Sequence, residues 1–347
     1  MAFAVLSESF ANKWFPGRGL PETIVDLTGR TVIVTGSNVG LGFETAKAFY
    51  QMNPARLILA VRSVDKGEAA KKKIVEEGGV TVLEGSRPRV DVWHLDMADF
   101  ANVKKFAQRC HDELDRIDIF LANAGVQNRE WIVTKDSWEV ALQTNVISTY
   151  LLTLLVTDKL VQTAKLPAPK AGVIFKPHLV IVASDVHYMA SLNDRKEANI
   201  FQALNREDRF DGAARYQDSK LIEVLLTRFL AKQSKFSLES TGVVMCTVNP
   251  GLCYSELGRF MKGPMAIAKA IFFALFARIT EEGAKNFTWA CLNNDIPQGA
   301  YTSSCRVTTP SNFVLSQEGD QVSEKLWDEL VTILNEIAPE KQSAWTL

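Results

Sequence analysis

The fold of this chain is decided by Arg30-Thr-Val-Ile-Val-Thr-Gly-Ser-Asn-Val-Gly-Leu-Gly42. The apolar run up to Thr35 is typical of a buried parallel strand, and the glycine-rich turn is followed by a predicted helix over residues 43–51. Glycines in such a turn let a diphosphate approach the backbone N–H groups at the helix N-terminus. The order is G-x-x-x-G-x-G rather than G-x-G-x-x-G, and glycines here also serve simple packing. Nucleotide binding and packing are therefore both open.

Strands alternate with helices along the rest of the chain. Further strands are predicted over residues 56–62, 90–95, 117–122, 179–184, 243–249 and 299–304, and helices over 66–77, 101–114, 138–163, 216–234 and 322–337. This alternation implies right-handed crossovers and a parallel sheet covered on both faces. We predict an α/β fold, a Rossmann-type doubly wound sheet of about seven strands. Without a linker or repeat, residues 1–347 should form one domain, with an N-terminal arm (1–27), a core (28–305) and a C-terminal helix and tail (306–347).

The composition excludes several classes of function. The chain has 347 residues, and its 39 basic and 40 acidic residues nearly balance, so a nucleic-acid partner is not expected. Five cysteines without C-x-x-C spacing and four scattered histidines predict neither a disulfide framework nor a metal site. Reduced thiols and an N-terminus that is a poor signal peptide favour a cytoplasmic protein.

An apolar segment over residues 264–277 raises the question of a membrane. It is too short, and too interrupted by Lys269, to span a bilayer. A buried or substrate-covering helix is favoured over attachment to a membrane surface. The wider segment 257–279 is rich in Phe and Met, which fits an apolar substrate pocket and fits core packing almost equally well.

Three polar residues form a candidate catalytic group. Tyr216 and Lys220 are four residues apart, so they share one face of a helix. A nearby ammonium favours ionisation of a phenol, whose reference pKa is about 10, and so makes it a general acid. Ser184 ends an apolar strand-like run. Taken singly, the serine is more commonly a cap, the tyrosine a packing residue and the lysine a solvated one; together they predict carbonyl chemistry.

The motifs occur in the order of a known family. Residues 35–42, Asn123-Ala-Gly125, Asn145, Ser184, Tyr216-Gln-Asp-Ser-Lys220 and Pro250-Gly251 resemble the short-chain dehydrogenase/reductase family over roughly residues 27–254. Arg62-Ser-Val-Asp-Lys-Gly-Glu-Ala-Ala resembles its retinol-dehydrogenase-like branch. The family commonly forms homodimers through its long helices, here those beginning near Trp138 and at Tyr216, so the resemblance allows a homodimer.

The resemblance implies a role for each catalytic residue. Ser184 would polarise a carbonyl oxygen, Tyr216 would donate or accept its proton, and Lys220 would lower the tyrosine pKa and bind the nicotinamide ribose. Asn145 would hold a helix kink and a water. The implied cofactor contacts are Gly36, Ser37, Asn38, Gly40, Leu41, Gly42, Arg62, Lys66, Asp96, Met97, Asn123, Ala124, Gly125, Tyr216, Lys220, Pro250, Gly251 and Ser255. Asp96 would contact adenine, and it could equally be a helix N-cap.

The end of the second predicted strand favours NADP(H). An acidic residue there would bind the ribose 2′-OH and repel a 2′-phosphate, whereas this chain has Arg62, with Lys66 nearby. Arginine suits a phosphate through its forked donors and permanent charge. A solvated surface arginine is the alternative. Val39 occupies a position where the family often has a second basic residue.

The predicted function is NADPH-dependent reduction of a ketone or aldehyde in a medium-sized apolar metabolite, or the reverse oxidation of an alcohol. A non-catalytic NADP(H)-binding sensor or scaffold is the alternative, because a fold alone does not fix a function. Retinoid turnover is not implied, and a secondary-metabolite or xenobiotic substrate is equally consistent. The long connection 187–215 is expected to form a wall of the substrate pocket, rather than an inert surface insertion.

Overall fold

The computed structural model describes residues 19–79, 87–170, 175–253 and 277–347. One sheet holds eight strands in the order β3-β2-β1-β4-β5-β6-β7-β8. The strands are β1 Thr31–Thr35, β2 Arg56–Val61, β3 Arg89–His94, β4 Ile119–Ala122, β5 His178–Val182, β6 Val244–Asn249, β7 Ala300–Ser303 and β8 Arg306–Val307. The first seven are parallel, which confirms the predicted doubly wound α/β fold. The two-residue β8 runs antiparallel to β7 and is too short to leave a periodic pattern.

Helices cover the sheet. They are α1 Gly40–Gln51, α2 Val64–Glu77, α3 Phe100–Glu113, α4 Ser148–Ala164, α5 Ile200–Leu204, α6 Gly212–Ala231, α7 Leu238–Thr241, α8 Thr280–Leu292 and α9 Gln317–Ile337. Successive strand side chains point to opposite faces, so Val32 and Val34 pack in one core cluster and Ile33 in the other. The cluster around Val32 includes residues of α1, α2 and α8, and the cluster around Ile33 includes residues of α3, α4, α6 and α9.

The strand order determines where the glycine turn lies in the sheet. β1 pairs with β2 on one side and β4 on the other, so the direction of winding reverses between β1 and β4. In open α/β sheets, ligands bind outside the carboxyl ends of the strands at such a reversal. Thr35 and Asn123, which end or follow these two strands, therefore lie at the expected ligand crevice.

Two helices differ in detail from the sequence prediction around the candidate site. The helix predicted from about 138 begins at residue 140, but residues Leu142–Ile147 form a π-helix before the regular α4. Asp211 caps α6 by accepting hydrogen bonds from the N–H groups of Ala213 and Ala214. Tyr216 consequently lies in the second turn of α6 instead of opening the helix. The periodic pattern missed the π-helix and the start of α6, because π-turns and caps depend on local hydrogen bonds.

The long helices α4 and α6 are covered by the chain itself. Both bury side chains around most of their circumference. Helix α9 packs on α6, with the Phe229 and Trp327 ring centroids 6.0 Å apart. The Glu329 carboxylate on α9 accepts hydrogen bonds from the backbone N–H groups of Ile200 and Phe201. The middle of the 187–215 connection is thus fastened to the C-terminal helix, and His187 at its start contacts the Ser184 backbone oxygen.

The remaining expectations concern cysteines and membranes. All five cysteines are free thiols, and four of them are buried. Within the described residues, no helix combines the length and the apolar character needed to cross a bilayer. Most of the apolar segment 257–279 lies outside the described residues, and so does Ser255.

Candidate active site

The glycine turn between β1 and α1 leaves space for a ligand. Gly36 and Gly40 have φ values of +66° and +61°, which disfavour other residues. A Cβ on Gly42 would lie 2.4 Å from the Gly36 carbonyl oxygen, whereas a Cβ on Gly40 would meet nothing within 4 Å. Val39, at the N-cap of α1, supplies no side-chain cap, so the first N–H groups of the helix stay open to an anion.

Polar contacts hold this turn against the end of β4. The Asn123 side-chain amide donates to the backbone oxygens of Thr35 at 2.8 Å and Gly36 at 3.2 Å. The Thr35 hydroxyl accepts from the N–H groups of Asn123 and Ala124, each at 2.9 Å. The Ser37 hydroxyl donates to the Val34 carbonyl oxygen. Asn123 and Ser37 therefore shape the turn, and the amide protons of Asn123 are already engaged.

Two cations lie exposed after β2. Arg62 directly follows the strand, and Lys66 lies in the first turn of α2, whose cap Ser63 accepts from the Lys66 N–H. Neither side chain makes a hydrogen bond or an ion pair with another described residue. Both remain available for an anionic group beside the glycine turn.

Asp96 is not the N-cap of α3. That position belongs to Asp99, whose carboxylate accepts from the Asn102 N–H at 3.2 Å. The Asp96 carboxylate instead accepts from the Ala98 N–H at 3.0 Å within its own turn. The helix-cap alternative for Asp96 is therefore wrong. The neighbouring Met97 is buried.

Ser184 follows β5 at the carboxyl edge of the sheet. Its hydroxyl donates to Asp185 Oδ1 at 3.2 Å and accepts from the Val186 N–H at 3.3 Å. Burial raises the pKa of Asp185, although the Ser184 hydroxyl and the Arg278 charge pull it down. This half-buried carboxylate beside the serine was not predicted from the sequence.

Tyr216 and Lys220 share one face of α6, as their spacing predicts. The Lys220 Nζ lies 5.8 Å from the Tyr216 ring centroid. That ammonium donates to the Val182 carbonyl oxygen at 2.7 Å and to Glu223 Oε1 at 2.9 Å.

The electrostatics at the phenol differ from the sequence expectation. Burial raises the pKa of Tyr216, and the negative charges of Glu223 and Asp185 raise it further, while the Ser184 hydroxyl lowers it. The lowered phenol pKa expected from Lys220 is therefore not present in this arrangement, because burial, together with the charges of Glu223 and Asp185, raises it.

Asn145 links the π-helix to α6. Its amide pairs with the backbone of Val126, accepting from the N–H at 2.8 Å and donating to the oxygen at 2.9 Å. It also donates to the Ser219 hydroxyl at 3.0 Å, which in turn donates to the Tyr216 carbonyl oxygen at 2.8 Å. A Cβ on Gly125 would lie 3.7 Å from the Lys220 Nζ. Asn145 thus lies in the expected helix irregularity, next to the two α6 residues.

The chain is similar to known proteins over most of its length. The model of the short chain dehydrogenase family matches residues 30–175. The short chain dehydrogenase/reductase dmxR8 of Cryptosporiopsis sp. is 37% identical over 93% of this chain and 95% of its own. The short chain dehydrogenase sol3 of Alternaria solani is 37% identical over 83% of this chain and 93% of its own. This chain belongs to the short-chain dehydrogenase/reductase family. The family makes it an oxidoreductase that binds NAD(P)(H).

Solved structures agree on the fold. A putative uncharacterized protein from Mycobacterium paratuberculosis aligns with a TM-score of 0.65 at 22% identity, covering 90% of this chain and 96% of its own. A short-chain type dehydrogenase/reductase from Mycobacterium marinum aligns with a TM-score of 0.59 at 18% identity, covering 80% of this chain and 94% of its own.

This dehydrogenase/reductase also fixes the loop after β6 with residues that the sequence did not reveal. Gly251 has φ +78°, and its N–H donates to Asn249 Oδ1 at 3.1 Å. The Pro250 carbonyl oxygen accepts from Asn286 at 3.1 Å and from Arg278 at 3.4 Å. Arg278 and Asn286 lie far from Pro250 in the chain, so no local sequence motif predicts that they contact it.

Two further residues of the site that the sequence analysis did not identify each lie three positions after a predicted catalytic residue. His187 follows Ser184 by three residues, and Glu223 follows Lys220 by three on the same helix. The i,i+3 spacing is the signal that could have identified Glu223. For His187 the same spacing is a weaker sequence signal, because the segment is a short 3₁₀ turn.

Proposed function

We propose that this enzyme is an NADPH-dependent reductase of a ketone or aldehyde in a medium-sized apolar metabolite, and that it oxidises the corresponding alcohol in reverse. The observation that carries the proposal is that α6 brings Lys220 and Tyr216 to the end of β5: the Lys220 Nζ lies 2.7 Å from the carbonyl oxygen of Val182, two residues before Ser184, and 5.8 Å from the Tyr216 ring centroid. A serine hydroxyl and a phenol that both donate hydrogen bonds to one substrate carbonyl oxygen form a site for carbonyl reduction.

The turn and the exposed cations fit the cofactor. The uncapped start of α1 and the space beside Gly40 suit a diphosphate, and Arg62 with Lys66 suits a 2′-phosphate. Residues of the glycine turn, Asp96, Asn123 and the Pro250-Gly251 loop would hold the rest of the molecule. Bound NADPH supplies the hydride, while the protein supplies placement and the proton. The basic end of β2 is also what supports a place in the retinol-dehydrogenase-like branch.

The proton chemistry belongs to this chain's own residues. As hydride reaches the carbonyl carbon, negative charge grows on the oxygen, which the Ser184 hydroxyl stabilises by donating a hydrogen bond. Tyr216 gives its proton to that oxygen. Because the Ser184 hydroxyl donates to Asp185 in the structure, the substrate oxygen must draw it away from that carboxylate.

Replacing Tyr216 with Phe tests this assignment. We expect kcat for NADPH-dependent reduction of a ketone panel to fall on the order of 10²–10⁴-fold, with the NADPH Kd little changed. Tyr50→Phe is the matched control, since it removes a phenol hydroxyl from a core cluster away from the site. Retained turnover in Tyr216→Phe would refute the role. Tight NADPH binding without any turnover by the wild type would favour a nucleotide sensor instead.

A further inference from the structure

Lys220 and Glu223 form an ion pair inside the protein. Their side chains are 6% and 2% exposed, and the Nζ to Oε1 distance is 2.9 Å. The second carboxylate oxygen, Oε2, is buried and has no hydrogen-bond partner among the described residues. A buried carboxylate that is only half satisfied is costly, and protonation relieves that cost.

The surroundings of Glu223 allow its charge to change. Lys220 is the charged group that acts on its carboxyl, and burial outweighs this ammonium, raising the pKa of Glu223 to about 7. From α4, the Tyr150 phenol donates to the Glu223 backbone oxygen at 2.7 Å, and burial keeps it neutral by raising its pKa well above the usual value. Tyr216, on the same helix, is the other titratable group affected by Glu223.

We propose that Glu223 is a positioning residue whose charge determines how strongly Lys220 acidifies Tyr216, an inference that rests on the proposed function. The negative charge of an ionised Glu223 cancels the effect of the Lys220 ammonium on the pKa of the Tyr216 phenol, so Tyr216 stays a weak acid. A protonated Glu223 still accepts a hydrogen bond from Lys220 through its carbonyl oxygen, but it no longer offsets the positive charge. Tyr216 then becomes the stronger acid that reduction requires.

The pH dependence of reduction tests this coupling. In the wild type, kcat/KM should fall on the order of threefold to tenfold as pH rises through neutrality, because Glu223 ionises. Glu223→Gln keeps the size and the acceptor oxygen without the charge, so this fall should disappear. Asp118→Asn is the control: it also removes a buried acidic partner, 3.3 Å from Arg30 at the amino end of the sheet, and it should keep the fall. A folded Glu223→Gln enzyme with the wild-type profile would overturn the proposal.

A second measurement does not depend on turnover. Ultraviolet difference spectroscopy follows the ionisation of Tyr216 in the cofactor-free protein. The spectrum of the wild type is compared with that of Tyr216→Phe, and the spectrum of Glu223→Gln with that of the same variant carrying Tyr216→Phe as well. Glu223→Gln should lower the pH at which the phenolate forms by about one unit or more. Unchanged ionisation would overturn the proposal whatever the activity. An inactive wild type that shows the shift would end the reductase assignment and support the coupling.

Discussion

The His187 imidazole binds the backbone oxygen of Ser184, with Nδ1 and the oxygen 2.7 Å apart. Its other nitrogen, Nε2, accepts a hydrogen bond from the Ser311 N–H at 3.1 Å. One ring therefore joins the proposed catalytic serine to the loop before α9. These two contacts require a neutral imidazole with its proton on Nδ1, and burial lowers the pKa of His187 to about 4.

Replacing His187 with Phe should weaken both the fold and the chemistry. Phe keeps the ring packing against Tyr188 and Tyr301, but it removes the partner of the buried Ser311 N–H, at roughly 1–3 kcal/mol, and leaves the Ser184 oxygen with only the His187 backbone N–H. We expect urea unfolding to show that loss and kcat/KM to fall on the order of tenfold to a hundredfold as Ser184 shifts. His111→Phe, which removes one hydrogen bond to the Leu155 oxygen, is the control for stability alone. An unchanged kcat/KM would limit His187 to a structural role.

The same histidine should make the protein sensitive to acid. In the unfolded chain the ring gains a proton near pH 6.5, whereas in the folded state it does so only near pH 4. Its contribution to stability is therefore complete above about pH 6.5 and is lost as pH falls toward 4, a loss of roughly 3 kcal/mol for this separation. Urea unfolding of the wild type and His187→Phe across this range measures it. The stability difference between the two proteins should shrink in acid, and a constant difference would contradict the prediction.

Arg62 should select the cofactor. Its exposed side chain pairs with no other residue in the part of the chain that the structure describes, so Arg62→Asp removes an available cation and adds a charge that repels a 2′-phosphate. We expect the Kd for NADPH to rise on the order of a hundredfold and the Kd for NADH to change little, as measured by calorimetry. Lys73→Asp makes the same charge change farther along α2 and should affect neither. Equal weakening of both cofactors would contradict the assignment.

Gly42 should not tolerate even one added methyl group. In Gly42→Ala the new Cβ would lie 2.4 Å from the Gly36 oxygen and 2.5 Å from Asn123 Nδ2, so the turn must shift. The expected result is a lower Tm and NADPH binding weakened on the order of tenfold or more. Gly79→Ala, where a Cβ meets nothing within 4 Å, should behave like the wild type. Tight NADPH binding by Gly42→Ala would show that the turn adapts.

The protein should be a monomer. Of the two helices through which the resemblance allowed a homodimer, α6 is covered by α9, and α4 buries side chains around most of its circumference. Pairing through them would require displacing α9 and its contacts with α6. Size-exclusion chromatography with light scattering at micromolar concentration should give the mass of one chain, 38.5 kDa. A stable dimer would mean that another surface pairs.

Local patterns were sufficient for the architecture. The strand from Arg30 to Thr35, the glycine turn and the alternation that follows predict a parallel doubly wound sheet, because each strand buries both faces and each helix must cover one. The i,i+4 spacing likewise placed Tyr216 and Lys220 on one face. The 3₁₀ turn at His187 and the two-residue β8 gave no comparable signal, since neither has a period.

The sequence by itself determined which residues line the carboxyl edge of the sheet, because strand ends and helix faces follow from short-range periodicity. Tertiary structure decided their electrostatics and surroundings. Whether Lys220 acts on Tyr216 or is offset depends on burying Glu223 beside it, and burial is a property of the packed protein. The same holds for α9 covering α6, and for Arg278 reaching Pro250, because contacts between distant segments form only when the whole chain packs.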